Sequence, residues 1–211
     1  MSLRMPCAGV GRLARRAALL VALTALPGVR AEAGDIELQP FVGLQFGGSF
    51  ASPAGVPFSF DESADYGATL DVAVAPTWRL ELLYSRQKTK LEPPAGGPTF
   101  PQTVERYMVG IQEEPETDGP FSFFGVALLG ATRLVPGLTG TDSELRFAAG
   151  LSLGTKVPAG SRIGLRLEAR GFYTVVDSGG AVYCTNGTCL FRFNGSGIWQ
   201  GDITAGVVLR F

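Results

Sequence analysis

The last stretch of the chain, Ile198 to Phe211, reads I-W-Q-G-D-I-T-A-G-V-V-L-R-F. Counting back from Phe211, alternate positions hold Leu209, Val207, Ala205, Ile203, Gly201 and Trp199, and the positions between them hold Arg210, Val208, Gly206, Thr204, Asp202 and Gln200. A repeat of two residues is the signature of a strand whose side chains alternate between faces. One face here is apolar and the other largely polar. On a soluble sheet the apolar face would rest on a core. In an exported chain built from many such segments, the pattern predicts the reverse arrangement, with lipid outside and a polar lumen inside.

Export is legible at the other end. Arg4, Arg12, Arg15 and Arg16 form a basic leader, Ala17 to Leu26 is apolar but too short to span a bilayer, and Ala31-Glu32-Ala33 is a small-residue cleavage site before Gly34. Residues 1–33 are therefore expected to be a signal peptide and 34–211 one mature domain. An uncleaved anchor helix is the weaker alternative. Arg15-Arg16 does not sit in a twin-arginine context, and Cys7 precedes the apolar stretch, so it is not a lipid-modified cysteine at the cleavage site.

Removing residues 1–33 takes five Arg and one Glu from 18 basic and 19 acidic residues, leaving 13 and 18, a net charge of −5. That balance argues against nucleic acid as a partner. Mean hydropathy is only modestly positive because apolar residues are dispersed by alternation.

Read in order, the mature chain predicts further strands. Ile36 to Gly47 opposes Ile36, Leu38, Val42, Leu44 and Phe46 to Glu37, Gln39, Phe41, Gly43 and Gln45. Tyr66 to Ala75 opposes Ala68, Leu70, Val72 and Val74 to Gly67, Thr69, Asp71 and Ala73, and Pro76-Thr77 turns the chain tightly into Trp78, Leu80, Leu82 and Tyr84, opposed to Arg79, Glu81, Leu83 and Ser85. Thr103 to Gln112 sets Tyr107, Val109 and Ile111 against Arg106, Met108, Gly110 and Gln112. In Phe121 to Leu134 the doublets Phe123-Phe124 and Leu128-Leu129 blur the phase. The reading adopted for it points Phe124, Val126 and Leu128 outward and Gly125, Ala127, Ala131 and Arg133 inward. Leu145, Phe147, Ala149, Leu151 and Leu153 oppose Glu144, Arg146, Ala148, Gly150 and Ser152, and Ile163, Leu165, Leu167, Ala169 and Tyr173 oppose Gly164, Arg166, Glu168, Arg170 and Phe172.

With the final stretch the count is eight. Long loops are expected at 49–64, 89–101, 135–143 and 176–197, and short turns at 76–77, 113–120 and 157–162. The segment 89–101 is rich in proline, which excludes it from a paired strand in this reading. An even number of antiparallel strands with short turns and termini at one end and long loops at the other is the plan of a transmembrane barrel. The fold class expected is all-β, an eight-stranded antiparallel up-and-down transmembrane barrel. A soluble barrel or sandwich is the competitor. It would leave the polar faces outside and give no reason for Trp78, Tyr84, Tyr107, Tyr173 and Trp199 to stand near strand ends on the apolar face, where interfacial aromatics belong.

On these features the chain resembles the small outer-membrane proteins of the OmpA/OmpX-like barrel superfamily over essentially its whole mature length. The resemblance implies a bacterial outer membrane of the Gram-negative type, with lipid and lipopolysaccharide around a monomer. It also implies that Val207, Leu209 and Phe211 form the terminal signal read by the barrel-assembly machinery. No peptidoglycan-binding domain follows Phe211, so the one-domain form is expected.

The chemistry of sites is sparse. The sequence has no His, the usual general base. Ser85 and Ser152 are conceivable nucleophiles, and Glu37, Asp71, Glu81, Glu168 and Asp202 conceivable acid/base groups. The simpler expectation is that the inward acids, with Glu144, pair with Arg79, Arg106, Arg133, Arg146, Arg166, Arg170 and Arg210 in a lumen charge network. No catalytic residue, metal site or cofactor is predicted. Cys184 and Cys189 flank Asn186-Gly187, and in an oxidising compartment a disulfide at the tip of the longest loop is favoured over free thiols or a metal pair. Three functions stay open: a structural or surface-interaction protein that meets an extracellular ligand through its loops, a porin-like narrow channel for a small solute, and a barrel enzyme. An eight-stranded lumen is just wide enough to be filled by side chains, which favours the first. A path lined by Gly43, Gly67, Gly110, Gly150 and Gly206 would favour the second.

Overall fold

The structure, a computed structural model, describes residues 35–51, 57–92, 99–137, 143–176, 181–185, 188–192 and 197–211, with side chains described for all of these but 50–58 and 181–192. The expected signal segment and its cleavage site lie outside the described residues. Twelve strands run in chain order: β1 Ile36–Gly47, β2 Ser49–Ala51, β3 Pro57–Phe60, β4 Ser63–Ala75, β5 Trp78–Glu92, β6 Phe100–Glu113, β7 Ser122–Pro136, β8 Glu144–Pro158, β9 Ile163–Val175, β10 Ala181–Thr185, β11 Thr188–Arg192 and β12 Gly197–Arg210. Eight of them, β1, β4 to β9 and β12, pair antiparallel in a closed ring. The ring closes between β1 and β12, from Glu37 opposite Arg210 to Gly47 opposite Gln200, and the amide of Phe211 donates to the carbonyl of Ile36 at 3.0 Å. Closure leaves no free edge in the ring, which a lipid environment requires.

The apolar face points out. Val42, Leu44, Leu151, Leu153, Ile203 and Trp199 are among the most exposed side chains, while Glu37, Gln45, Asp71, Glu81, Arg106, Lys156, Arg166 and Asp202 are buried inside. On seven of the eight strands the facing follows the sequence reading.

β7 corrects it. Phe124, Val126 and Leu128 are 3%, 3% and 1% exposed and point into the lumen, whereas Phe123 and Leu129 are 61% and 56% exposed and face lipid. Gly125, Ala127 and Ala131 therefore lie on the outer face, and so does Arg133, whose side chain is 45% exposed. The phase is set by neighbours: Thr132 pairs with Arg106 on β6, and Val126 with Ser152 on β8. Once those registers close, a slip of one residue would turn every side chain over. β7 alone could not show this, because both of its faces are apolar.

Several loops are shorter than expected. β5 runs on to Glu92 and β6 starts at Phe100, with Lys90 opposite Pro101 and Leu91 opposite Phe100. The segment 89–101 is thus partly paired, contrary to the expectation from its prolines. The carbonyl of Pro101 faces β7 and accepts from Gly137, so the missing N–H falls where the β6–β7 ladder ends at Gln102 and Pro136. At the end of β1, Gly47 and Gly48 adopt φ of 79° and 95°, values open to glycine at little cost. The chain leaves the ring there, and the β2–β3 hairpin adds to the far end of β5 through Ser59–Glu92 and Phe60–Leu91. The segments 49–64 and 176–197, expected as loops, contain the hairpins β2–β3 and β10–β11.

Candidate functional site

The lumen is the one concentration of buried polar chemistry among the described residues, and it is built in layers. At the short-turn end, Lys156 lies 2.7 Å from Glu37, 2.9 Å from Glu114 and 3.8 Å from Asp71, and Arg210 donates to Glu37 at 3.0 Å. Arg79 completes this layer, 3.6 Å from Glu114 and 3.9 Å from Glu37.

Arg166 holds the middle. Its guanidinium is 2.8 Å from Glu81, 2.9 Å from Glu168 and 3.2 Å from Asp71, and it also donates to Gln39. Glu168 is shared with Arg170 at 2.7 Å, and Arg170 stands 4.0 Å from Asp202. In the next layer Arg106 donates to Gln45 at 2.9 Å and to Gln200 at 2.7 Å. Asp65, opposite Gly43 in the β1–β4 ladder, and Asp202, opposite Gln45 in the β1–β12 ladder, are also buried in the lumen.

Three phenyl rings share this space with the charges. Arg166 lies 4.1 Å from the centre of the Phe124 ring, Arg170 4.1 Å from Phe41 and Arg106 4.4 Å from Phe172. Each ring lies against the glycine opposite it on the next strand: Phe124 on Gly154, Phe41 on Gly67 and Phe172 on Gly150. A Cβ at any of the three would collide with the ring. The repeating unit is a glycine seat, a ring and a guanidinium, and each cation–ring contact in a desolvated site contributes about 2 kcal/mol.

Leu83, Met108, Val126, Leu128 and Ala148 complete the interior wall, which is therefore amphipathic and not uniformly polar. Towards the loop-bearing end the polar layers give way to Phe60, Leu91, Val104, Leu134, Val176 and Ile198, a buried apolar cluster drawn from both sides of the barrel.

Of the residues expected in the charge network, Glu37, Asp71, Glu81, Arg106, Arg166, Glu168, Arg170 and Asp202 are buried in these layers, and Arg79 and Arg210 stand at the short-turn mouth. Glu144 and Arg146 pair with each other at 2.6 Å near the loop-bearing end. Arg133 does not belong to the network: it lies outside the barrel, 3.4 Å from Glu105. Lys156, Asp65, Glu114 and the glutamines were not anticipated as members. Continuing the alternation two residues past Gly154 would have found Lys156, and one residue back from Tyr66 would have found Asp65.

The glycines considered as a solute path serve otherwise. A Cβ on Gly110 would meet Leu128 at 2.6 Å, and one on Gly206 the carbonyl of Pro40 at 2.8 Å. With Gly67 and Gly150 they are seats for neighbouring groups. Ser85 and Ser152 are buried, and the carboxylates expected nearest to them are engaged with arginines. Backbone register sets Cys184 opposite Cys189 across β10–β11, one pair beyond Thr185–Thr188; the two side chains lie outside the described residues.

A closed antiparallel ring of eight strands with an apolar exterior and a charged, ring-filled interior has the architecture of a transmembrane β-barrel. Among solved structures the chain is similar to Neisserial surface protein A, NspA, with a TM-score of 0.62 at 15% identity over 86% of this chain and 100% of that one. It is similar to OprG from Pseudomonas aeruginosa, with a TM-score of 0.59 at 14% identity over 85% of this chain and 97% of that one. AlkL, solved by solid-state NMR in DMPC bilayers, gives 0.51 at 10% identity over 88% and 95%. No family model and no curated protein matches the chain.

Proposed function

We propose that the protein is a non-conducting outer-membrane barrel whose work is done outside the membrane, through segments at its loop-bearing end that meet an extracellular ligand or a neighbouring surface. The observation that carries this reading is the double filling of the lumen. Arg166 and its carboxylates occupy the middle, and the cluster around Phe60, Leu91 and Ile198 lies between that layer and the outside. An ion crossing would have to separate buried pairs, each costing several kcal/mol to break, and then pass an apolar layer. A non-enzymatic role is supported by the lack of His anywhere in the sequence. A disulfide between Cys184 and Cys189 belongs to the same proposal: at directly opposed strand positions it would shape the 176–197 segment more than it holds up the fold.

A second reading, a narrow wet path for a small solute, is favoured by lumen atoms with no protein partner, among them Gln45 Nε2, Gln200 Nε2, Thr69 Oγ1 and Ser152 Oγ. Conductance in a planar bilayer separates the two. Wild type is expected to give negligible current, and Arg166→Ala small cation-preferring current or a destabilised barrel. Steady wild-type conductance at neutral pH, unchanged by Arg166→Ala, overturns the filled-lumen reading in favour of the channel.

A further inference from the structure

On the outer face of β5 the side chains pointing to lipid run Trp78, Leu80, Leu82 and Tyr84, and the next three pointing the same way are Arg86, Lys88 and Lys90. The change from apolar to cationic happens in one step, at a row of tyrosines. Tyr66, Tyr84 and Tyr107 are 42%, 37% and 46% exposed, and the rings of Tyr84 and Tyr107 are 5.3 Å apart. Tyrosines in such a row mark the membrane interface. They lie towards the loop-bearing end, which with termini and short turns on the periplasmic side is the outer leaflet.

Register continues the cationic row around the barrel: Arg86 on β5 faces Glu105 on β6, and Glu105 faces Arg133 on β7. Glu105 sits between the two arginines, 3.7 Å from Arg86 and 3.4 Å from Arg133, and accepts from Tyr107 at 3.2 Å. The two guanidinium groups flank this carboxylate, and their side chains stay 38% and 45% exposed. With Lys88 exposed next to them, the group of three cations and one carboxylate is positive by two charges. Further out, Lys90 shares its face with Glu92 and adds nothing net. The cluster is one-sided: among the residues whose side chains are described, the remaining cations point into the lumen or stand at a mouth or a turn.

We propose that Arg86, Arg133 and Lys88 form a docking site for the phosphate groups of an outer-leaflet lipid, the phosphorylated lipid A of lipopolysaccharide. Guanidinium N–H groups donate charge-assisted bonds to phosphate oxygens, and a phosphate group reaching across Glu105 would meet both arginines. The tyrosines below place acyl chains and phosphates at the heights such a lipid has. A free phosphate would lack that apolar half. The proposal rests on the outer-membrane location and not on the loop role proposed above, so the conductance result leaves it standing or falling by itself.

The test uses the full barrel in lipid nanodiscs, titrated with bisphosphorylated lipid A and with the same lipid dephosphorylated. Wild type is expected to prefer the phosphorylated form by about tenfold or more. Arg86→Gln/Arg133→Gln should lose that preference, and Arg162→Gln, on a turn at the other end, should keep it. Glu105→Gln removes the competing carboxylate and should tighten binding, an arm that remains informative if the double variant does not fold. Wild-type indifference to the phosphates, an intact preference in the double variant, or weaker binding in Glu105→Gln overturns the proposal. Complete displacement of lipid A by inorganic phosphate at equal concentration also overturns it, since the site would then be one for free anion.

Discussion

The guanidinium of Arg166 lies over the ring of Phe124, 4.1 Å from its centre, and reaches Glu81 at 2.8 Å. The ring in turn rests on Gly154. Charge, ring and wall are thus one unit, and the position of the charge depends on a residue without a side chain. A Cβ at Gly154 would meet both Phe124 and, at 2.6 Å, the carbonyl of Leu167. Gly154→Ala is expected to destabilise the barrel by about 1–3 kcal/mol through overpacking. Phe124→Leu in the same chain should recover part of that loss, read by urea unfolding in vesicles; a neutral Gly154→Ala would remove the seat from the argument.

Arg166 and Arg146 both pair with carboxylates, but their settings differ. The Arg166 side chain is 4% exposed with three acids around it, and that of Arg146 is 23% exposed with Glu144 alone. Arg166→Gln strands buried carboxylates and should cost about 3–5 kcal/mol. Arg146→Gln should cost less than about 1 kcal/mol. Equal losses in unfolding experiments would show that the middle layer is hydrated like the mouth.

The facing of β7 is open to a direct check. Spin labels at Leu129→Cys should collide with oxygen dissolved in the bilayer, and labels at Leu128→Cys should not. Nearby, Leu151 is 70% exposed to lipid, and Leu151→Arg should cost about 2–4 kcal/mol if it lies near the midplane. The opposite labelling pattern would restore the reversed phase of β7.

Phe211 closes the seam by donating to Ile36, and its side chain is 63% exposed. Removing it should slow insertion and leave protein in the periplasm, as followed by fractionation after a pulse of synthesis. Shortening the segment 93–98 should leave insertion unchanged. Normal insertion without Phe211 would argue against a terminal recognition signal in Val207, Leu209 and Phe211.

Cys184 and Cys189, opposed in the β10–β11 ladder, should appear joined in mass spectra of the unreduced protein. Alkylation of both in the native barrel would reject the bridge. Unfolding with and without reductant should differ little, because the loop closed is short.

The sequence by itself determined the eight strands of the ring and the outward face of seven of them, since each follows from a two-residue period within one segment. Leu209, Val207 and Ile203 declare the lipid face of β12 without reference to any other strand. What only the tertiary structure decided involves partners distant in the chain. The phase of β7 came from pairing with β6 and β8, because Phe123 and Phe124, or Leu128 and Leu129, are equally apolar. Arg133 was lost to the lumen for the same reason and became a neighbour of Arg86 and Glu105 on the outside. Lys156 entered because β8 continues past Gly154 to Pro158, an extension set by its pairing with β9. The seating of Phe124 on Gly154 and of Phe172 on Gly150 could not be read from alternation, since a period of two gives a residue its face but not its height against the neighbouring strand, where register sets these pairs opposite each other. That height is fixed by the stagger of the strands when the ring closes.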